Sequence, residues 1–275
     1  MNKKILHAFL LTVSTNICFG FGKKMPSQEN SSTLASSSES APITDFSSIS
    51  EIAVRSSCAG ISWKGRGKAP IGYIEGMALV YEKNFCDLKA RRAPQVAMAA
   101  PIGPASKDAI AYLGLNSDSE KVRMRNLFTL LIGLGMRESS GQYCEGTDAS
   151  ASGGASRPSN EIEAGLFQSS YNSVPQNSER RNIYLKYKQD GTKCFKSTFA
   201  VGVKCKASML QSYGTGEGRT FQEITKDCPA FATEHAALNL RVLRAHYGPV
   251  NRREVQVMSA CSKMLEQIEA KASCN

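Results

Sequence analysis

Of the five carboxylates between residues 138 and 163, four are candidates for chemistry: Glu138, Asp148, Glu161 and Glu163. Glu138 ends an apolar run, Gly133-Leu-Gly-Met-Arg-Glu138, and Ser139-Ser140-Gly141 follows it. A polar Gly/Ser/Ala loop at 145–160 then leads into Glu163-Ala-Gly-Leu-Phe-Gln168-Ser-Ser-Tyr171. Two carboxyl groups across a cleft suit the cleavage of a glycosidic bond: one protonates the leaving oxygen and the other activates water. The acid works only if it keeps its proton near neutral pH. Burial raises a carboxyl pKa, and so does the negative end of a helix. Glu138 stands where both would act. Gly133 and Gly135 would leave room for a glycan, and residues 139–141 would form a cleft wall. The same spacing also fits a solvated glutamate at a helix end, paired with Arg137.

A long helix must deliver Glu138. Ser117 and Glu120 have capping-box spacing. The apolar residues from Val122 to Met136 wrap most of the helical circumference, which predicts a centrally buried helix. Ser139-Ser140-Gly141 is a stop signal. Residues 72–88 carry Ile74, Met77, Tyr81, Phe85 and Leu88 at helical spacing. Residues 90–104, with three prolines, read as a loop, and 106–115 as a short helix. A helical or turn-helical segment is expected at 161–172 and a helix at 177–189. Residues 192–228 are ambiguous, with 199–203 as strand or loop and 213–218 as a flexible loop. Pro229 opens a helix to about His246. Asn251 and Glu254 can cap a last helix bearing Val255, Met258, Cys261, Leu265 and Ile268. Trp63, the only tryptophan, reads as a buried anchor before a sugar platform. His235 reads as a packed core histidine.

Composition limits the function classes. No apolar run reaches the roughly 20 residues of a spanning helix. Lys3 and Lys4, an apolar stretch and small residues at Gly20 and Gly22 form a secretory signal pattern over 1–22. A Ser-rich spacer, expected to be disordered, covers 23–50. The folded domain is expected at 51–275. Nine cysteines become eight once Cys18 is set aside with the leader. An even number in an exported chain argues for disulfides. Proximity along the chain favours Cys58–Cys86, Cys194–Cys205 and Cys261–Cys274. With no CxxC spacing, no metal is expected. The formal charge is +10, suited to an anionic polymer. The cations are spread out and no nucleic-acid motif is present, so nucleic acid is not an expected partner.

Arg137-Glu138-Ser139-Ser140-Gly141, followed by Ala164-Gly165-Leu166-Phe167-Gln168-Ser169, resembles the paired motifs of goose-type lysozymes and soluble lytic transglycosylases. In that superfamily a Glu-Ser pair ends a core helix and a Gly-Leu-Met-Gln-like segment follows. The resemblance covers roughly residues 117–175 and extends loosely to the last helices. It implies a mainly α, lysozyme-like fold with a minimal strand region, in one globular domain stapled by disulfides. It also implies cleavage of the β-1,4 bond between N-acetylmuramic acid and N-acetylglucosamine, without a cofactor. Glu138 matches the general acid, Ser139 its partner in the Glu-Ser pair, and Gln168 a cleft residue supporting the glycan. Phe167 stands in place of the usual Met. Asp148 is the first choice for positioning water and Glu163 the second. Without either, the muramic acid 6-hydroxyl would attack and leave a 1,6-anhydro product, as in lytic transglycosylases. Their Ala-Tyr-Asn-Ala-Gly-like motif is matched only in part by Ala245-His246-Tyr247-Gly248-Pro249. Tyr247 and Tyr171 are further substrate-binding candidates, although packing is the commoner role for each. The expected partner is the glycan strand of peptidoglycan, met by a secreted monomer without membrane insertion. The alternatives are a chitin-like or deacetylated glycan as substrate, and an inactive cationic wall-binding protein.

Overall fold

The apolar run before Glu138 becomes the last turns of a 20-residue helix buried on nearly every side. The computed structural model describes residues 46–147, 153–191 and 193–274. The expected leader, most of the spacer, and Asp148 lie outside the described residues.

In chain order, α1 (Phe46–Arg55) leads to a hairpin of β1 (Ser62–Trp63) and β2 (Gly67–Lys68), paired antiparallel with Trp63 opposite Gly67. Next come α2 (Ile71–Lys89), α3 (Ala93–Met98), α4 (Ala109–Tyr112) and α5 (Glu120–Ser139). An irregular stretch with 3-10 turns precedes α6 (Ser178–Gln189). Then follow α7 (Lys196–Phe199), α8 (Ala207–Leu210), α9 (Gly216–Asp227), α10 (Pro229–Val242), α11 (Gly248–Asn251) and α12 (Ser259–Lys271). Among the described residues the fold is mainly helical, with one two-stranded sheet and one core.

Helices α5 and α10 form the centre, and α2, α6, α9 and α12 surround them. Met124, Leu127, Phe128, Leu130, Leu131, Ile132 and Leu134 of α5 are fully buried. Removing any one of these side chains down to alanine would cost about 2–5 kcal/mol. Helix α10 is buried from Pro229 through Arg241, polar residues included. His235 is enclosed in this core, edge-on to Phe221 and with Nε2 3.1 Å from Ser173 Oγ. Burial pushes its pKa down to about 3. Trp63 is buried as well.

Several expectations need correction. The N-cap of α5 is Ser119, whose hydroxyl accepts from Val122 N at 3.5 Å, while Ser117 Oγ accepts from Ser119 N. Residues 46–50, placed in the spacer, begin α1. Part of the proline-rich 90–104 stretch is helical, because Pro94 falls in the first turn of α3 where no amide donor is needed. Residues 161–172 contain no α-helix. Gly165 and Gln168 adopt positive φ (76° and 45°), and Ala164 and Ser169 close the turn as an isolated bridge. The 192–228 region holds α7, α8 and α9. Helix α9 buries polar Gln222 and Lys226 beside Phe221, which hid its face from a hydrophobic reading. Their nitrogens are satisfied by carbonyls, such as Gln211 O at 2.6 Å from Lys226 Nζ. The last helix starts at Ser259. Glu254 does not cap it, since its carboxylate is held by Arg137 and Arg252.

Four disulfides staple the fold: Cys58–Cys261, Cys86–Cys274, Cys144–Cys205 and Cys194–Cys228. None of the three pairs favoured by proximity forms. Packing of α1 and α2 on α12 brings residues about 200 positions apart together, and that packing overrides chain distance.

Candidate functional site

Glu138 is the penultimate residue of α5, and Ser140 ends the helix in the left-handed conformation (φ 55°). The two sequence motifs are fastened to each other just there. Ser139 Oγ lies 2.9 Å from both the Gly135 carbonyl and the Leu166 carbonyl, so its one proton ties the helix end to the turn at 165–168. Gly165 N donates to Glu145 O at 2.8 Å. Gln168 Nε2 donates to Gly146 O and Gly165 O, both at 3.1 Å. Phe167 is buried against the face of α5 that holds Gly135.

The glycines of α5 do not face an open cleft. A Cβ on Gly133 would stand 2.1 Å from Gln256 O, and one on Gly135 would stand 2.4 Å from the Tyr73 hydroxyl. Both positions are filled by protein. They let the 255–256 segment, Tyr73 and Phe167 pack against the helix backbone, and thereby fix the direction in which Glu138 leaves it.

The Glu138 carboxyl is partly buried. Among the described residues it forms no hydrogen bond or salt bridge. Burial, and next the negative charge of Glu163, push it up to about 7, while Arg252, Arg66 and Arg137 pull the other way. Its place at the C-terminal end of a long helix acts in the same direction as burial. Arg137 does not neutralise it by direct contact, because its guanidinium is engaged with Glu254 at 2.9 Å. Arg66 donates to the Arg137 carbonyl, so a cation is held at the helix end.

The remaining candidates fall into distinct positions. Glu163 is partly exposed and close enough to act on Glu138 electrostatically. Glu161 is exposed on a 3-10 turn. Asp148 lies outside the described residues. Tyr247 is buried, with its hydroxyl 3.2 Å from Ser169 Oγ and 3.4 Å from Asn239 Nδ2. Burial pushes that hydroxyl up to about 12, and Glu138 contributes to the rise. Tyr171 packs edge-on against Tyr184 and Phe221. Glu138, Glu163 and Tyr247 thus belong to one electrostatic neighbourhood. Ser139 and Gln168 hold its walls through backbone carbonyls, and Tyr171 stands in an aromatic cluster.

Sequence reading passed over Arg252, which carries no local signal. It noted the basic run at 63–70 without assigning Arg66 a place near the acid. Among the described residues, no cluster of three or more His, Cys, Asp or Glu could hold a metal ion. A cavity of about 860 Å³ between α1 and α12 shares no lining residue with this site. No family model, curated protein or solved structure matches the chain.

Proposed function

We propose that this chain is a peptidoglycan glycosidase of goose-type lysozyme character, with Glu138 as general acid. The observation that carries the reading is the Glu138 carboxyl: partly buried at the end of a buried helix, without a hydrogen-bonding partner among the described residues, and raised to about 7. Such a group keeps its proton in a large fraction of molecules at neutral pH and has it free to give to a glycosidic oxygen. The neighbouring cations stabilise the carboxylate left after transfer. Glu163 then serves as the second carboxylate, positioning water on the opposite face of the sugar. Its coupling to Glu138 favours hydrolysis over internal attack by the muramic acid 6-hydroxyl. Tyr247, Ser139 and Gln168 act as positioning residues for the acid and the turn facing it. The four disulfides fit an oxidising compartment, and secretion is part of the proposal. No helix of the described residues is long and apolar enough to cross a membrane.

The test is to digest acetylated and deacetylated sacculi with the wild-type protein and with Glu138→Gln, and to analyse the products by mass spectrometry. Reducing ends are expected. Anhydro ends would replace hydrolysis by lytic transglycosylation. Full activity in Glu138→Gln would remove the assignment of the acid. Binding to sacculi without release of any fragment would make the chain a wall-binding protein instead.

A further inference from the structure

Arg180, in the first turn of α6, is a cation withdrawn from water with no anion to meet it. Its side chain is 2% exposed. Nη1 donates to Asn239 Oδ1 at 2.5 Å. Nε is shut off from solvent without a hydrogen-bond partner, and no carboxylate pairs with the guanidinium among the described residues. Burial lowers its pKa, and the Tyr247 phenol works the other way. The uncompensated charge reaches His235 and His246 and pushes both further down than burial alone does. Taking a guanidinium out of water without a counter-charge is costly, and uncompensated groups of this kind concentrate at functional sites.

Arg180 lines a pocket of about 590 Å³ enclosed by the start of α6, the end of α10 and the 97–108 segment. Asp108 is the one acidic residue in its lining, and its charge is already matched. Arg241 Nε and Nη2 donate to it at 3.0 to 3.2 Å, and Gly103 N and Ile110 N at 2.9 Å. Lys107 and Arg244 also line the pocket, and neither forms a salt bridge among the described residues. Arg244 is held in place by the Ala105 carbonyl at 3.0 Å and lies over the Tyr112 ring. Asn177, the N-cap of the 12-residue helix α6, brings the positive end of that helix to the same place. Apolar walls come from Ala97, Pro101, Pro104, Val242 and Leu243. The pocket shares no lining residue with the site around Glu138.

We infer that this pocket binds a small organic carboxylate, with its head group on Arg180 and its apolar body against Pro101, Val242 and Leu243. Three features set the ligand class. With Nη1 engaged by Asn239, the guanidinium keeps its Nε–Nη2 edge, two parallel donors of the kind that take a carboxylate in a bidentate pair. The volume lies in the usual range for ligand pockets and exceeds what a lone inorganic ion fills, while the apolar walls suit an organic body. A phosphate, with more charge and three acceptor oxygens, calls for several buried cations. In this lining Arg180 is the one buried cation that no carboxylate matches, since Arg241 is taken by Asp108. The inference stands apart from the glycosidase reading, because no atom near Glu138 enters it.

The test uses the full chain with its disulfides intact. Calorimetry measures the binding of benzoate, hexanoate, benzamide and inorganic phosphate, and NMR follows the Arg180 Nε–H signal. Both carboxylates are expected to bind with Kd below about 10 mM, and benzoate about tenfold or more tighter than benzamide. The Arg180 signal should shift on saturation with benzoate. Arg180→Gln should weaken benzoate about tenfold or more and leave benzamide unchanged. Its melting temperature should stay close to wild type, since the charge it removes is unpaired. If that variant folds poorly, the wild-type signal decides alone. Failure of both carboxylates to bind, benzamide equalling benzoate, or an Arg180 signal unmoved at saturating benzoate would overturn the site. Phosphate binding tighter than either carboxylate would overturn the ligand class. None of these measurements involves a glycan, so a failure here leaves the reading of Glu138 where it stands.

Discussion

Of the glutamates withdrawn from water among the described residues, Glu234 and Glu138 have opposite surroundings. Glu234, on α10, is 1% exposed, and its Oε1 receives Lys83 Nζ at 2.6 Å and Asn84 Nδ2 at 3.0 Å. Asn84 is held in turn by Gln95, and Lys83 by Asp87. Burial works against the Lys83 ammonium, but Glu234 and Asp87 outweigh it and raise its pKa. Glu138 is less deeply buried, yet no donor reaches it among the described residues, and another carboxylate faces it. The first arrangement satisfies a charge; the second leaves a proton poorly held and available. Burial alone therefore does not mark a reactive group. Burial without compensation does, and such places concentrate at functional sites.

The contrast can be broken experimentally. Glu138→Gln should lower glycan cleavage on the order of 10³-fold, the usual worth of a general acid, with the fold intact by circular dichroism. Glu234→Ala should do the reverse. Leaving Lys83 buried without its main partner should cost about 3–5 kcal/mol in urea unfolding, while the rate per folded molecule stays close to wild type. If Glu234→Ala abolished activity without destabilising the fold, the division between the two sites would be wrong.

A pH series sharpens the same point. Between pH 4.5 and about 7 the folded chain keeps a proton on Glu138 that the unfolded chain has released. Stability therefore falls as pH rises through this window. Glu138→Gln does not titrate, so its stability relative to wild type should rise across the window, by up to about 3 kcal/mol at pH 8. Activity should decline above about pH 7 as the acid loses its proton. The smallest expected effect is that of Gly135→Ala, roughly 1–3 kcal/mol of overpacking against Tyr73 and Phe167. Thermal melting would report that loss, and a fall in cleavage rate would show that the direction of Glu138 had shifted too.

Much of this was legible from local signals. Helices α2 and α6 appear close to their expected bounds because apolar spacing and Asn177, which caps α6 through Arg180 N at 3.1 Å, are written locally. Helix α5 is buried as its wrapped apolar pattern implied, and ends beside Glu138 where the Ser-Ser-Gly run implied. The turn at 165–168 was misread because Leu166 and Phe167 look helical in composition, whereas Gly165 and Gln168 set the backbone. Helix α9 escaped because Lys226 and Gln222 are buried through hydrogen bonds, which hydrophobicity does not register. The cysteine pairing and the approach of Arg252 to Glu138 depend on which helices meet. No local pattern encodes either.

The connectivity of the four bridges has a consequence for cleavage by proteases. Cys58–Cys261 crosses Cys86–Cys274, and Cys144–Cys205 crosses Cys194–Cys228 inside the span of the first two. A single cut anywhere between residues 58 and 274 therefore leaves one covalent molecule. A nick between 58 and 86 is still bridged by Cys58–Cys261, and one between 261 and 274 by Cys86–Cys274. A clipped molecule would run as full length on a non-reducing gel and separate into fragments only after reduction. Among proteases the protein can lose a peptide bond and keep its parts together.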